Sequence, residues 1–158
     1  MFYKTVLGLL LVIPFGASAQ SNFYAGAELN VTKAELLGSS AGAGLFAGFN
    51  LNKTFAAEFG YKNLGTFDYD GFPTDVQALQ ASVVISYPIV EKTAIYGRLG
   101  ITKLYAAVQD SAFKKDAIGP HVGVGIRYEV SESLKLRAEL MNISKVANQI
   151  TVSAYFDF

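Results

Sequence analysis

From Phe23 onward, apolar residues alternate with polar or small ones at a period of two, the spacing of an extended strand whose successive side chains point to opposite faces. Ile118 to Leu140 is the clearest stretch. Val122, Val124, Ile126, Tyr128 and Val130 share one face, and His121, Gly123, Gly125, Arg127 and Glu129 the other. After Ser131-Glu132-Ser133 the pattern restarts, with Leu134, Leu136, Ala138 and Leu140 against Lys135, Arg137 and Glu139, which predicts an antiparallel hairpin.

Six further runs follow the same rule. Phe23 to Val31 sets Phe23, Ala25, Ala27, Leu29 and Val31 against Tyr24, Gly26, Glu28 and Asn30. Gly42 to Leu51 does so with Phe46 as an aromatic exception on the inner face, expected to pack into space left by neighbouring glycines. Thr54 to Leu64 carries Glu58 and Lys62 on its polar face, Val76 to Tyr87 carries Gln80 and Ser82, and Thr93 to Tyr105 carries Tyr96, Arg98 and Thr102. Gln149 to Phe158 closes the chain, with Ile150, Val152, Ala154, Phe156 and Phe158 opposite Thr151, Ser153, Tyr155 and Asp157. About eight strands of about 9 to 12 residues result, the length a tilted membrane-crossing strand needs.

The connections alternate in length. Asn52-Lys53, Pro88 to Lys92 (Pro88 ending its strand) and Ser131 to Ser133 are short, whereas Thr32 to Ala41, Gly65 to Asp75 and Ala106 to Ala117 read as long polar loops; Asn142 to Asn148 links the last two strands. Odd and even connections of an antiparallel barrel lie at opposite rims, so one rim has tight turns and the other long loops. Phe23, Phe49, Phe55, Tyr87, Tyr128, Phe156 and Phe158 fall near the first rim, and Tyr61, Phe67, Tyr69 and Tyr105 near the second, as girdles at two bilayer interfaces would.

Met1 to Ala19 has a basic start at Lys4, a short apolar run and Ala17-Ser18-Ala19 at its end, which predicts a cleaved signal peptide over 1–19 and a single domain over 20–158. Its loss takes 13 basic residues to 12 against 13 acidic, a formal net charge of −1. A near-neutral chain without a basic cluster gives no reason to expect nucleic acid. Cysteine is absent, so there is no disulfide framework, and the 51% hydrophobic content contains no apolar run of helix-spanning length after the signal.

Alternation alone leaves open which face is inside. A soluble ligand-binding barrel would turn the apolar face inward. Glycines beside long charged residues, together with the aromatic rims, favour lipid outside and a cramped polar lumen. The fold expected is therefore all-β, an eight-stranded antiparallel up-and-down transmembrane β-barrel. Its lumen charges would be Glu28, Glu58, Lys62, Arg98, Arg127, Glu129, Arg137 and Glu139, joined by Lys135 and Asp157, five acidic and five basic in all, able to neutralise one another.

The run GVGIRYEVSESLKLRAEL, the signal peptide and the terminal YFDF resemble the small outer-membrane β-barrel proteins of Gram-negative bacteria, the superfamily that includes the transmembrane domain of outer-membrane protein A. The resemblance implies outer-membrane location, contact with outer-membrane lipid and lipopolysaccharide, and handling by periplasmic chaperones and the barrel-insertion machinery. Ile150, Val152, Ala154, Phe156 and Phe158 match the family's C-terminal insertion signal. Larger members append a peptidoglycan-binding domain, an activity not carried over to this chain. Some barrels of this size are lipid A deacylases with histidine and serine close together on one strand; here the position two after His121 is Gly123, which departs from that pattern.

His121 is the only histidine, so a multi-histidine metal site is excluded, and no phosphate-cradling glycine loop is present. No catalytic residue, cofactor or metal is expected. Asp68, Tyr69, Asp70, Phe72, Phe113, Lys114 and Lys115 are the candidates for meeting an extracellular partner, because loops on rigid scaffolds commonly carry recognition. The function expected is non-enzymatic, a structural or surface-interaction role. A lipid-modifying hydrolase using Ser153 or Ser82, and a narrow pore, are the alternatives.

Overall fold

Every run pairs with its neighbours in sequence, and the last pairs with the first, so backbone hydrogen bonding closes on itself with no edge at mid-height. The structure, a computed structural model, describes residues 22–35, 37–108 and 114–158; the expected signal peptide and Phe113 lie outside them. The strands are β1 (Phe23–Ala34), β2 (Gly38–Asn50), β3 (Phe55–Tyr69), β4 (Phe72–Val90), β5 (Thr93–Val108), β6 (Lys114–Glu129), β7 (Leu134–Ile143) and β8 (Ala147–Asp157). Together they form a closed antiparallel barrel. Paired residues followed once around the wall lead from Tyr128 of β6 through Leu136, Ala154, Ala27, Leu45, Tyr61, Leu79 and Lys103 back to β6 at Ile118. This stagger of 10 residues (128 − 118) tilts the strands by about 40°.

Alternation resolves the two faces as expected for lipid outside. Leu29, Leu45, Phe59, Leu99, Val124 and Leu140 are exposed on the outer wall, whereas Glu58, Lys62, Arg98, Arg137 and Glu139 are buried in the lumen. Such an outer surface suits hydrocarbon, and the soluble-barrel arrangement is inverted. Phe46 does point inward. A Cβ added at Gly26 would lie 2.8 Å from its ring, so the glycine makes the room the ring needs.

Towards the rim opposite Asn52-Lys53 the polarity of the two faces reverses. Inside, Leu64, Phe67 and Ala78 pack with Leu104, and Met141, Ile143 and Ala147 form a neighbouring cluster. Outside at that end stand exposed Lys33, Asn63, Asp68 and Asn148. A wall that leaves the bilayer meets water, so it turns polar outward and closes over an apolar core.

That reversal corrects the loop expectations. The described residues of Thr32 to Ala41, Gly65 to Asp75 and Ala106 to Ala117 are for the most part strand, because ladders continue above the membrane as polar hairpins. Gly65 to Asp75 holds a two-residue turn at Asp70 and Gly71, both at positive φ (51° and 81°), the type that matches strand twist. The link between the last two strands shrinks to a similar turn, with Ser144 and Lys145 at positive φ. Strand lengths run from 10 to 19 residues, beyond the expected range. Pro88 does not end its strand; β4 continues to Val90 across a bulge. Phe67, expected in the outer girdle, lies inside because the register shifts between Asn63 and Gly65 and changes which residues face in. At the tight-turn rim Phe23, Tyr87 and Tyr128 are exposed outward, and Phe23 meets Phe49 edge to face at 4.9 Å.

Candidate functional site

The lumen charges meet in the middle of the barrel. Glu58 of β3 faces Arg137 of β7 across the full width, since β3 and β7 are four strands apart in a ring of eight. Arg137 Nη1 donates to Glu58 Oε2 at 2.8 Å, Arg98 Nη1 lies 2.6 Å from Glu58 Oε1, and Arg98 Nε donates to Glu139 Oε2 at 2.9 Å. Tyr24 Oη also donates to Glu58, at 2.9 Å. Two guanidinium groups and two carboxylates thus neutralise one another out of water, the condition under which buried charge is tolerated. The Arg137 guanidinium lies against three rings, 4.3 Å from the centroid of Phe46, 4.9 Å from Tyr155 and 5.5 Å from Tyr96.

A second pair sits towards the rim opposite Asn52-Lys53, where Lys62 Nζ is 2.6 Å from Glu28 Oε1 and donates to Gln149 Oε1 at 3.2 Å. Gln149 in turn donates to Thr32 at 2.8 Å. At the tight-turn mouth Lys135 pairs with Asp157 and lies 3.9 Å from Glu129. Arg127 and Glu129 stand apart from the central cluster. Arg127 is half-buried, with Nη1 3.5 Å from Ser86, in a cavity it shares with Tyr24, Tyr96 and Tyr155. The sequence reading placed Gln80 and Thr102 on the polar face but did not join them to the charges, and it left out Gln149 and Thr32, although parity with the charged residues was the available signal.

His121 is buried between Ser82 and Thr102, with Nε2 2.9 Å from Ser82 Oγ and Nδ1 2.8 Å from Thr102 Oγ1. One ring nitrogen donates and the other accepts. A serine–histidine contact is the start of a nucleophilic site, but a hydroxyl stands where an orienting carboxylate would be, and Ser82 faces the filled lumen. Ser153 lies elsewhere, accepting from Arg137 Nε at 3.3 Å.

Among the extracellular candidates, Asp68 lies near the top of β3, Asp70 in the turn and Phe72 at the start of β4, all three exposed. Tyr69 ends β3, Lys114 begins β6, and Lys115 is exposed beside it. Ile150, Val152 and Phe156 face outward on β8 with Ala154 between them, and exposed Phe158, just past its end, donates its N–H to Phe23 O at 2.9 Å, tying this end of the chain to β1.

Comparison with solved structures finds the same barrel. Neisserial surface protein A aligns with a TM-score of 0.74 at 17% identity, over 89% of this chain and all of that one. The N-terminal β-barrel domain of Pseudomonas aeruginosa OprF gives 0.63 at 16% identity, over 87% and 98%. Ail, the attachment invasion locus protein of Yersinia pestis, solved with the heparin analogue sucrose octasulfate, gives 0.60 at 14% identity, over 87% and 97%. No curated protein sequence matches the chain. The family profile of the OmpA-like transmembrane domain matches residues 15–157, and with the closed barrel, lipid-facing wall and polar lumen this places the chain in that family, as an eight-stranded outer-membrane β-barrel.

Proposed function

We propose that this barrel is a non-enzymatic scaffold of the outer membrane that holds polar hairpins at the cell surface for structural support or contact with a partner. The observation that carries the reading is the Glu58–Arg98–Arg137–Glu139 cluster spanning the lumen, because filled and neutralised space favours a rigid wall over a passage or a substrate channel. Its partners are outer-membrane lipid and lipopolysaccharide around the wall, and chaperones and the insertion machinery during biogenesis, with residues 1–19 as a cleaved export signal and the outward face of β8 as the insertion signal. One likeness is named a surface protein and another an attachment invasion locus protein bound to a heparin analogue, which supports a role at the cell surface.

The Ser82–His121 contact favours a lipid-modifying hydrolase as the second reading. Two measurements separate the readings: lipid A from cells expressing the wild type or His121→Ala, analysed by mass spectrometry, and conductance of the purified barrel in planar bilayers. Identical lipid A and no ion current support the scaffold. A lipid A change lost in His121→Ala overturns it, as does a steady current altered by replacing Arg98, Arg127 or Arg137.

A further inference from the structure

The barrel is closed through the membrane, but its extracellular rim has a step. β6 begins at Lys114, while its ladder with β7 begins only at His121 opposite Ile143. The Ser144–Val146 turn stops at the foot of the step, where Ser144 N–H donates to Pro120 O at 2.8 Å. Above it, Lys114–Pro120 pairs with β5 on one side only, and among the described residues no strand lies along the other side for about 20 Å.

Parity identifies the backbone groups left without a partner among the described residues. The carbonyl of Pro120 points to the β7 side, and the N–H and C=O of a strand residue share a side that alternates along the chain. Ile118, Asp116 and Lys114 therefore aim their backbone groups at the open side, while Lys115 and Ala117 bond to β5. Ile118 is 70% exposed, and Lys115 and Lys145 flank the edge with no ionic partner among the described residues, whereas Asp116 is paired to Lys103 at 3.5 Å. Among the described residues, the unpaired charge on the edge is that of Lys115, with Lys145 at its foot and Glu35 beyond it across the Ser144–Val146 turn.

We infer that the edge of β6 at Lys114–Ile118 takes up an extended acidic polypeptide segment as an added strand. Backbone hydrogen bonding supplies the pairing, and Lys115 and Lys145 supply the preference for acidic side chains. The same lysines disfavour a second copy of this chain, which would bring like charge to like charge.

The inference rests on the surface-contact reading, and the test separates the two. Barrel in nanodiscs is titrated into a fluorescently labelled synthetic peptide alternating glutamate with valine and threonine, and into its lysine counterpart, with anisotropy as readout. Ile118→Pro removes an edge donor and no β5 bond. The acidic peptide is expected to bind at least tenfold tighter than the lysine peptide, and at least tenfold weaker to Ile118→Pro and to Lys115→Glu/Lys145→Glu. Amide exchange at Asp116 and Ile118, slowed by the acidic peptide in the wild-type barrel, gives the same answer if Ile118→Pro does not fold. Absence of binding, binding indifferent to the proline with no slowed exchange, or concentration-dependent dimerisation through this edge overturns the inference. If that happens with lipid A unchanged and no conductance, the scaffold reading stands and the edge alone falls.

Discussion

Glu58→Gln keeps the size of the side chain at the centre of the lumen and withdraws its charge from two guanidinium groups. Arg98 and Arg137 lie 2.6 and 2.8 Å from the two Glu58 oxygens, and after the change they share Glu139 as the remaining carboxylate of the cluster. One buried positive charge then goes uncompensated, a loss of about 3–5 kcal/mol. With a urea slope of about 2 kcal/mol per molar, the unfolding midpoint falls by about 2 M. Urea titration of the barrel in lipid vesicles, followed by the folded band on unheated gels and by far-UV circular dichroism, measures it. Replacing Glu58, Arg98, Arg137 and Glu139 together by methionine removes the imbalance as well as the charges, so that variant is expected to be more stable than Glu58→Gln. A midpoint for Glu58→Gln equal to wild type would refute the view that this cluster is held by mutual neutralisation.

Arginine at Leu99 or Val124 places charge on the lipid-facing wall and is expected to cost about 2–4 kcal/mol near the midplane, read as loss of membrane yield, and arginine at Leu136, paired with the girdle residue Tyr128, about 0–1 kcal/mol. Gly125→Ala sets a Cβ 2.5 Å from the Ala138 carbonyl oxygen and 2.6 Å from the Tyr96 ring, and is expected to cost about 1–3 kcal/mol by urea titration, with Tyr96→Ala recovering only part of the loss because the backbone contact remains. His121→Ala leaves the Ser82 and Thr102 hydroxyls without their shared partner; lipid A is expected to be unchanged while stability falls by about 1–3 kcal/mol. Deleting Phe158 removes both the terminal aromatic and its bond to Phe23 O, so the heat-shifted outer-membrane band is expected to weaken, and undiminished assembly would argue against an insertion role.

A period of two is a local property of a strand, which is why Val122 to Val130, Leu134 to Leu140 and Ile150 to Phe158 could be assigned to faces from the sequence alone. The count of strands, the inward parity of Glu58, Arg98, Arg137 and Glu139, and even the inward Phe46 followed from that rule. The rule lost its hold where the surroundings changed. Above the bilayer, Thr32 to Ala41 and Gly65 to Asp75 have the composition of loops, yet remain paired; the Asp70-Gly71 turn signature was the missed clue. The bulge near Leu64 then changed which residues faced in and carried Phe67 inside.

Which charge meets which was not legible either. Parity places Glu58, Arg98, Arg127 and Arg137 in one lumen, but their heights in it depend on the 10-residue stagger, which accumulates strand by strand from pairings between distant segments. That stagger joins Glu58 to Arg137 across the barrel, leaves Arg127 at the mouth and sets Ser82 beside His121. The sequence by itself determined which residues share a face wherever no bulge intervenes, because side-chain direction alternates with position along a strand. The tertiary structure decided the partners, because closing a tilted sheet into a ring sets the relative heights of residues far apart in sequence.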